Sequence, residues 1–390
     1  MTSPLSNSTQ KIQQYLRNIP PMTKGQLYLH TTLIATALGL MLLSRLIQKH
    51  ASHLVEIYYS KGIYPVITRL LSIVSDLFPF SLSEIALLLL AGAGGILLLQ
   101  KFLHLLLGKE TPKEAIKKIT LTLLSSLSLL YILFQLIWGL NYLRNRLEYK
   151  LDLNLQNISQ KDIFHEAQKT AHRLNQLYPY LEVIDIKEVN RQLEQSLEIV
   201  LQHIEGIHIP SAKRVKKFQL NFLLDKLGID GVTFPYFSEA HINTNQLPLE
   251  IPFTIAHEKA HLKGYAAEDE ASFIGYLACI YAKSNFIRYS GEISLLDAMM
   301  SFLNQKQYKK ILQTLSPPVR LDYHYIATSN PTPPTPLSST LDHLQSSLED
   351  KFLKLEGVPH GMNSYEYVVY LVVAYKKKWL PPNSSPQLAP

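Results

Sequence analysis

The chain has 390 residues, of which 18% are charged, and its formal net charge is +7 at pH 7. The basic residues form no block interleaved with aromatic residues, which argues against a nucleic-acid partner and fits an anionic lipid surface better. The single cysteine, Cys279, excludes an internal disulfide and a zinc cluster held by cysteines.

Apolar residues are concentrated in the first third of the chain. Three runs approach the roughly 20 apolar residues that are needed to cross a bilayer. They predict transmembrane helices at about 28–47, 82–100 and 119–141. A cleaved signal peptide is the weaker interpretation of the first run, because no small-residue cleavage site follows it. We therefore expect a membrane part at 1–144, with the lipid bilayer as its partner, and a soluble part at 145–390.

Between the first two predicted spans, apolar residues recur at helical spacing with polar residues on the other face. This pattern predicts an amphipathic helix over 65–78, which either lies in the membrane interface or packs against the rest of the protein. Lys and Arg residues are slightly more numerous before the first span and between the second and third spans than after the first and third spans. The first two of these segments are therefore expected to share the cytoplasmic side. On that count the soluble part is expected outside the cytoplasm.

The soluble part has mainly helical patterns, with helices expected at 161–177, 186–204, 212–227, 252–265, 268–286, 338–355 and 364–379. The best strand signal is 232–243, which could supply one or two short strands. Its end, 239–243, is either an edge strand beside the site, able to pair with a peptide, or a core strand. The segment 329–339 contains four prolines and is expected to be a surface loop.

The predicted fold class is therefore mainly α. Three N-terminal transmembrane helices precede a helical domain with one or two short strands.

The residues with the clearest chemical pattern are the HEKAH sequence at 257–261, which matches HExxH. No proline or glycine interrupts a helix there until Gly264. Histidines four residues apart project from one helical face, so His257 and His261 can bind one metal ion. The sequence predicts a zinc site with these two ligands and with Glu258 as the general base that addresses metal-bound water.

A carboxylate from the following segment is expected to complete the zinc site and to leave a fourth position open. Glu268 and Glu270 lie about 200° apart on a helix, so only one of them can face the metal. Glu270 shares a stripe with Phe273 and Ile274 and should be buried, and a buried carboxylate needs a strong partner. Glu270 is therefore the predicted third ligand, and Glu268 is a second-shell contact or the alternative ligand.

An electrophile for the tetrahedral oxyanion is usual in such sites. Tyr265 and His241 are candidates for that role, although spacing singles out neither.

Three stretches resemble a family of bacterial membrane proteins of unknown function, the domain-of-unknown-function 3810 family. They are FPYFSEAHINTN from Phe234, PFTIAHEKAHLKGYAAEDEA from Pro252 and GYLAC from Gly275, and the likeness extends over most of the chain. The resemblance implies membrane spans followed by a zincin-like peptidase domain. Glu268 to Ala271 is also similar to the Glu-x-Glu-Ala segment of gluzincin-like peptidases, which implies Glu270 as a ligand. The chain departs from the longer gluzincin pattern at Ile274, where an aspartate would stand.

Together these patterns predict a membrane-anchored, zinc-dependent metallohydrolase, with peptidase activity on a peptide or protein substrate as the favoured chemistry. The alternative is a non-catalytic metal-binding sensor or scaffold with the same fold. Charged residues around the motif, among them Lys259, Lys263 and Asp269, disfavour a site inside the bilayer.

Overall fold

The computed structural model describes residues 23–328, 347, 351 and 364–379. The expected loop at 329–339 lies outside the described residues, as does the expected helix at 338–355 apart from two positions. The α-helices of seven or more residues are α1 (Lys24–His50), α2 (Tyr64–Asp76), α3 (Leu82–Leu106), α4 (Pro112–Ile137), α5 (Gln160–Leu177), α6 (Ile186–Glu205), α7 (Asn221–Leu227), α8 (Ile251–Leu262), α9 (Glu268–Ile280), α10 (Asn285–Met300), α11 (Gln305–Thr314), α12 (Pro317–Thr328) and α13 (Ser364–Trp379). The strands are β1 (Lys216–Lys217), β2 (Gly231–Phe234) and β3 (Glu239–Ile242).

The chain folds into two compact units. One contains residues 23–43 together with 84–136, and the other contains 44–83 together with the described residues from 137 onward. This division differs from the expected boundary at 144, because 44–83 belongs with the second unit. The segment belongs there because it forms hydrogen bonds with Ser238 and Glu239 through the hydroxyl groups of Thr68, Ser75 and Ser83.

Three apolar N-terminal helices are confirmed, since α1, α3 and α4 are each long and apolar enough to cross a membrane. Helices of this kind indicate membrane association. α4 begins and ends earlier than the expected 119–141. Thr111 and Glu114 exchange backbone-to-side-chain hydrogen bonds of 3.1 and 3.3 Å that define its start. It ends because Trp138 leaves the helical conformation, with φ of −151°.

The helical character of the second unit is confirmed, although some expected helices have other bounds. The expected helix at 212–227 is helical only over α7, because β1 pairs with β3. The expected helix at 268–286 ends at Ile280, and Ser284 starts a new helix by accepting a hydrogen bond from the Phe286 amide at 3.2 Å. α10, α11 and α12 were not expected at all.

The three strands form one small sheet in the order β1-β3-β2, in which β3 runs parallel to β1 and antiparallel to β2. β2 and β3 supply the two short strands expected in 232–243. The interpretation of 239–243 as an open edge strand is wrong, because β3 has a neighbour on each side. β2 is instead the edge strand that packs against α8.

A fully buried carboxylate, Glu239, joins the sheet to the chain that leads into α3. It accepts hydrogen bonds from the Leu82 amide at 3.1 Å, the Ser83 amide at 2.9 Å and the Ser83 hydroxyl at 2.6 Å. It also pairs with the ammonium group of Lys216, which is buried as well. Glu239 therefore neutralises one buried charge and accepts hydrogen bonds from two backbone amides.

Replacing Glu239 by alanine should lower the free energy of unfolding by about 3–5 kcal/mol, because Lys216 would remain buried without a counter-ion. Chemical unfolding in detergent micelles measures the effect. Glu182, which is exposed, is the matched control, and Glu182→Ala should stay within about 0.5 kcal/mol of wild type. Equal stability of the two variants would contradict the assigned role of Glu239.

Candidate metal centre

The two motif histidines lie side by side on α8. Because they are four residues apart, one helical turn brings their rings to a centroid separation of 4.6 Å. Their Nε2 atoms are 3.1 Å apart. Both imidazoles therefore present the same nitrogen to one point in space.

Glu268, the first residue of α9, reaches the same point. Its Oε2 atom lies 3.2 Å from Nε2 of His257 and 3.3 Å from Nε2 of His261. Among the residues that the structure describes, these three form the one group of His, Cys, Asp or Glu side chains close enough to share a metal ion. They form a triangle of two nitrogens and one oxygen with nearly equal edges.

The size of this triangle can be tested against the needs of zinc. Zinc-to-ligand bonds of about 2.0–2.1 Å in tetrahedral geometry place neighbouring ligand atoms about 3.3–3.4 Å apart. The observed separations of 3.1, 3.2 and 3.3 Å come close to that spacing. Two imidazoles and one carboxylate are also a donor set used by catalytic zinc sites. The residues present fit a zinc ion.

Hydrogen bonds at the far nitrogens orient both rings. Nδ1 of His261 lies 2.7 Å from the carbonyl oxygen of Tyr265, which can only accept, so this nitrogen carries the proton. In the neutral ring Nε2 then has its lone pair free for a metal. Nδ1 of His257 is 3.1 Å from the hydroxyl of Ser272, which can accept in the same way. Such outer contacts set the tautomer of metal-binding histidines.

The titratable groups of the site differ in the direction in which their pKa is shifted. Burial alone would raise the pKa of Glu268, but the two imidazoles hold that pKa well below its usual range. Burial alone would lower the pKa of His261, yet the Glu268 carboxylate outweighs it and raises the pKa to about 9. For Glu258 burial dominates and raises the pKa, although both histidines oppose the shift. Glu268 is thus the anionic group of the set, and Glu258 binds protons more readily.

Glu270, the expected third ligand, does not lie beside the two histidines, whereas Glu268, the alternative ligand, does. The Oε1 atom of Glu270 accepts a hydrogen bond from the Leu147 amide at 2.7 Å and lies 3.4 Å from Nε of Arg146. The carboxylate is buried as expected, and it has the strong partner that burial requires. Its partners are an arginine and a backbone amide from the chain after α4. Helix periodicity alone cannot predict contacts with so distant a part of the chain.

The side chains of the two candidate electrophiles, Tyr265 and His241, are bonded to other groups and do not contact the histidine pair. The hydroxyl of Tyr265 donates a hydrogen bond to Glu205 at 3.1 Å, and only its backbone carbonyl serves the site. Nε2 of His241 lies 2.7 Å from the Ser81 hydroxyl, and its ring packs edge-on against Phe234. Both side chains are fully buried in these contacts.

Strand β2 lies directly against Glu258. The single proton of the Thr233 hydroxyl is shared between the Glu258 carboxylate, 2.8 Å away, and the Glu258 backbone carbonyl, 2.9 Å away. A Cβ atom at Gly231 would lie 2.7 Å from Oε1 of Glu258, so only glycine permits this approach. Thr233 was not anticipated from the sequence, because its role depends on how the strand packs on α8.

The last turn of α8 receives hydrogen bonds from residues far away in the chain. Nε1 of Trp138 donates to the carbonyl of His261 at 2.9 Å, and the Tyr64 hydroxyl donates to the carbonyl of Leu262 at 2.7 Å. Both carbonyls lie at the C-terminal end of α8, and that of His261 also accepts a hydrogen bond from the Gly264 amide at 2.9 Å. In the sequence, Trp138 lies inside the apolar run expected to span the membrane at 119–141, and nothing in that pattern predicts its contact with His261.

A buried ion network continues this support. Arg144 donates to the carbonyl of Gly264 at 3.1 Å, at the turn that follows α8. The same guanidinium group binds Glu56 at 3.0 and 2.9 Å and Glu205 at 2.7 Å. Its position after the third expected span makes Arg144 one of the flanking basic residues, but its side chain is 2% exposed and supports the turn between α8 and α9.

Comparison with known proteins adds a family. The family described as Protein of unknown function (DUF3810) matches residues 59–373. The chain belongs to that family. The matched region contains α8, α9 and strands β1 to β3, and therefore all the residues of the candidate metal centre. No curated protein and no solved structure matches the chain.

Glu268→Gln should reduce bound zinc from about one ion per chain to nearly none, because a neutral amide replaces the one anionic ligand. Glu270→Gln is the matched control two residues away, and it should keep its zinc. Metal analysis of the purified full chain measures both. Loss of zinc from Glu270→Gln alone, with zinc retained in Glu268→Gln, would reverse the assignment.

Proposed function

We propose that the protein is a membrane-anchored, zinc-dependent metallohydrolase that cleaves peptide bonds. The observation that carries the proposal is the convergence of His257, His261 and Glu268, with Glu258 beside them on the same helix. The long apolar helices α1, α3 and α4 would anchor the chain as a multi-pass membrane protein. From the count of Lys and Arg residues, we place the metal centre outside the cytoplasm.

The three converging side chains would hold the zinc ion. Bound zinc would supply Lewis acidity, which lowers the pKa of a water molecule and polarises a substrate carbonyl. His261 is oriented for this task by the Tyr265 carbonyl, and His257 by the Ser272 hydroxyl. Because these contacts pre-exist, the ligands would not need to reorganise when the metal binds.

Glu258 is suited to proton transfer. Burial raises its pKa, so its carboxylate accepts a proton more readily than an exposed glutamate and can later return that proton to a leaving amine. The Thr233 hydroxyl holds Oε2 in place, and Gly231 lies against Oε1. These contacts fix the direction in which the carboxylate points.

The outer edge of β2, which has no partner strand among the described residues, favours a peptide over a small ester. The backbone amide of Asn243 donates a hydrogen bond to the backbone carbonyl of Asp230 at 2.8 Å. In an antiparallel pair hydrogen-bonded positions alternate, so residues 230, 232 and 234 form the hydrogen-bonded pairs with the neighbouring strand. The main-chain groups of Gly231 and Thr233 therefore point away from β3. An extended peptide could pair with them and run past Glu258.

Glu258→Gln should lower kcat about 100- to 10,000-fold while zinc content stays unchanged, because proton transfer is lost and the ligands remain. A pool of fluorogenic peptides with the full chain in detergent micelles provides the assay. Cleavage that persists in the variant would contradict the role of Glu258. Zinc in the wild type without cleavage of any peptide would favour the non-catalytic sensor or scaffold.

Gly231→Ala should lower peptide cleavage by up to about 100-fold with zinc retained, because the new methyl group would displace the Glu258 carboxylate. Gly92→Ala is the control, since a Cβ atom at that position has no neighbour within 4 Å. The same peptide assay compares the two. Wild-type activity in Gly231→Ala would show that β2 does not fix the general base.

A further inference from the structure

A continuous helical segment at 52–76, of which α2 is the second half, has an apolar exposed face. The segment includes a stretch with wide π-helical turns at Val55–Ile63. The large apolar residues on its outer face and on the turn that follows are each between 36% and 71% exposed. We name them the 54–80 surface: Leu54, Ile57, Tyr58, Ile63, Val66, Leu70, Ile73, Val74, Leu77, Phe78 and Phe80.

The opposite face of the segment is polar and buried. The Thr68 hydroxyl lies 2.9 Å from the Ser238 hydroxyl, and Ser75 donates to the Glu239 carboxylate at 3.2 Å. Ser72 is also buried. A surface helix of a soluble domain has the reverse arrangement, with its apolar stripe inward and its polar face in water. This helix is therefore built for an apolar environment on its outer side.

The position of the segment in the chain identifies that environment. α1 ends at His50 and α3 begins at Leu82, so the 54–80 surface connects two helices that are apolar enough to cross a membrane. Both ends of the segment are thereby tied to the bilayer. A contiguous exposed apolar patch of this kind marks an interaction site, and here lipid is the partner that the chain itself brings close.

Basic residues border the aromatic end of this surface. Lys213, Arg214 and Lys217 are exposed and line a cavity of about 1480 Å³ together with Pro79 and Phe80. Basic side chains next to an embedded apolar face are suited to the phosphate groups of lipid headgroups. The surface thus combines an apolar face with a cationic border, as amphipathic interfacial helices do.

We propose that the 54–80 surface is embedded in the membrane interface, with its apolar side chains among the lipid acyl chains. Lys213, Arg214 and Lys217 lie at the level of the phosphate groups. On its inner side, the Tyr64 hydroxyl holds the last turn of α8. The bilayer surface thereby becomes the support on which the helix that bears His257 and His261 rests. The proposal does not depend on zinc or on catalysis.

Site-specific fluorescent probes can test the depth of this surface in the full chain reconstituted into lipid nanodiscs. The one natural cysteine, Cys279, is fully buried, so an added cysteine can be labelled selectively. An environment-sensitive dye is attached at Leu70→Cys and at Arg214→Cys. Ile199→Cys is the control, because Ile199 is an apolar residue of α6 with 51% exposure outside the 54–80 surface. Nitroxide groups on the lipid acyl chain, nitroxide groups on the headgroup, and aqueous iodide serve as quenchers.

The dye at position 70 should show a blue-shifted emission, strong quenching by the acyl-chain nitroxide and little quenching by iodide. The dye at position 214 should be quenched most by the headgroup nitroxide, and the dye at position 199 by iodide alone. Quenching of position 70 by iodide to the same extent as position 199 would overturn the proposal. Stronger acyl-chain quenching at position 214 than at position 70 would overturn the assigned depth.

Discussion

In the second unit, the candidate metal centre depends on one constraint, the convergence of two imidazoles and one carboxylate in a partly buried space. Three such groups within 3.1–3.3 Å of one another need precise support, because each can turn away if its far side is left free. The support comes from several directions. Ser272 and the Tyr265 carbonyl hold the rings, and Gly275 lets α9 approach so closely that a Cβ atom there would lie 3.0 Å from the amide nitrogen of His257.

Three successive acidic residues in the first turn of α9 point in different directions and contact different groups. Glu268 faces the histidines, while Asp269 and Glu270 hold Arg146 and the backbone amide of Leu147. Successive residues on a helix point about 100° apart, so a single turn can serve three directions. The chain after α4 is thereby attached to the same helix start that carries the proposed third ligand, and its position is coupled to the geometry of the metal centre.

The sequence was sufficient for the features that rest on local spacing. Apolar run length predicted the three long helices, and the four-residue interval placed His257 and His261 together. It failed where the answer depends on a distant partner. The apolar stripe predicts a buried Glu270 with a strong partner, and that partner is Arg146, which no local pattern could identify. β1 has only two residues, which is too short for a strand pattern to be recognised in the sequence. Its pairing nevertheless makes β3 the central strand of the sheet.

The shortness of β2 has a consequence for selectivity. Four residues offer outward main-chain groups from only two of them, Gly231 and Thr233, so a peptide added there gains few hydrogen bonds. If the protein is the peptidase proposed above, so short an edge would discriminate poorly between substrate sequences. Selection would then come from effective concentration. Under the proposed function, a polypeptide confined to the same membrane would meet the site far more often than one in free solution, and that confinement would replace the affinity which the strand cannot provide.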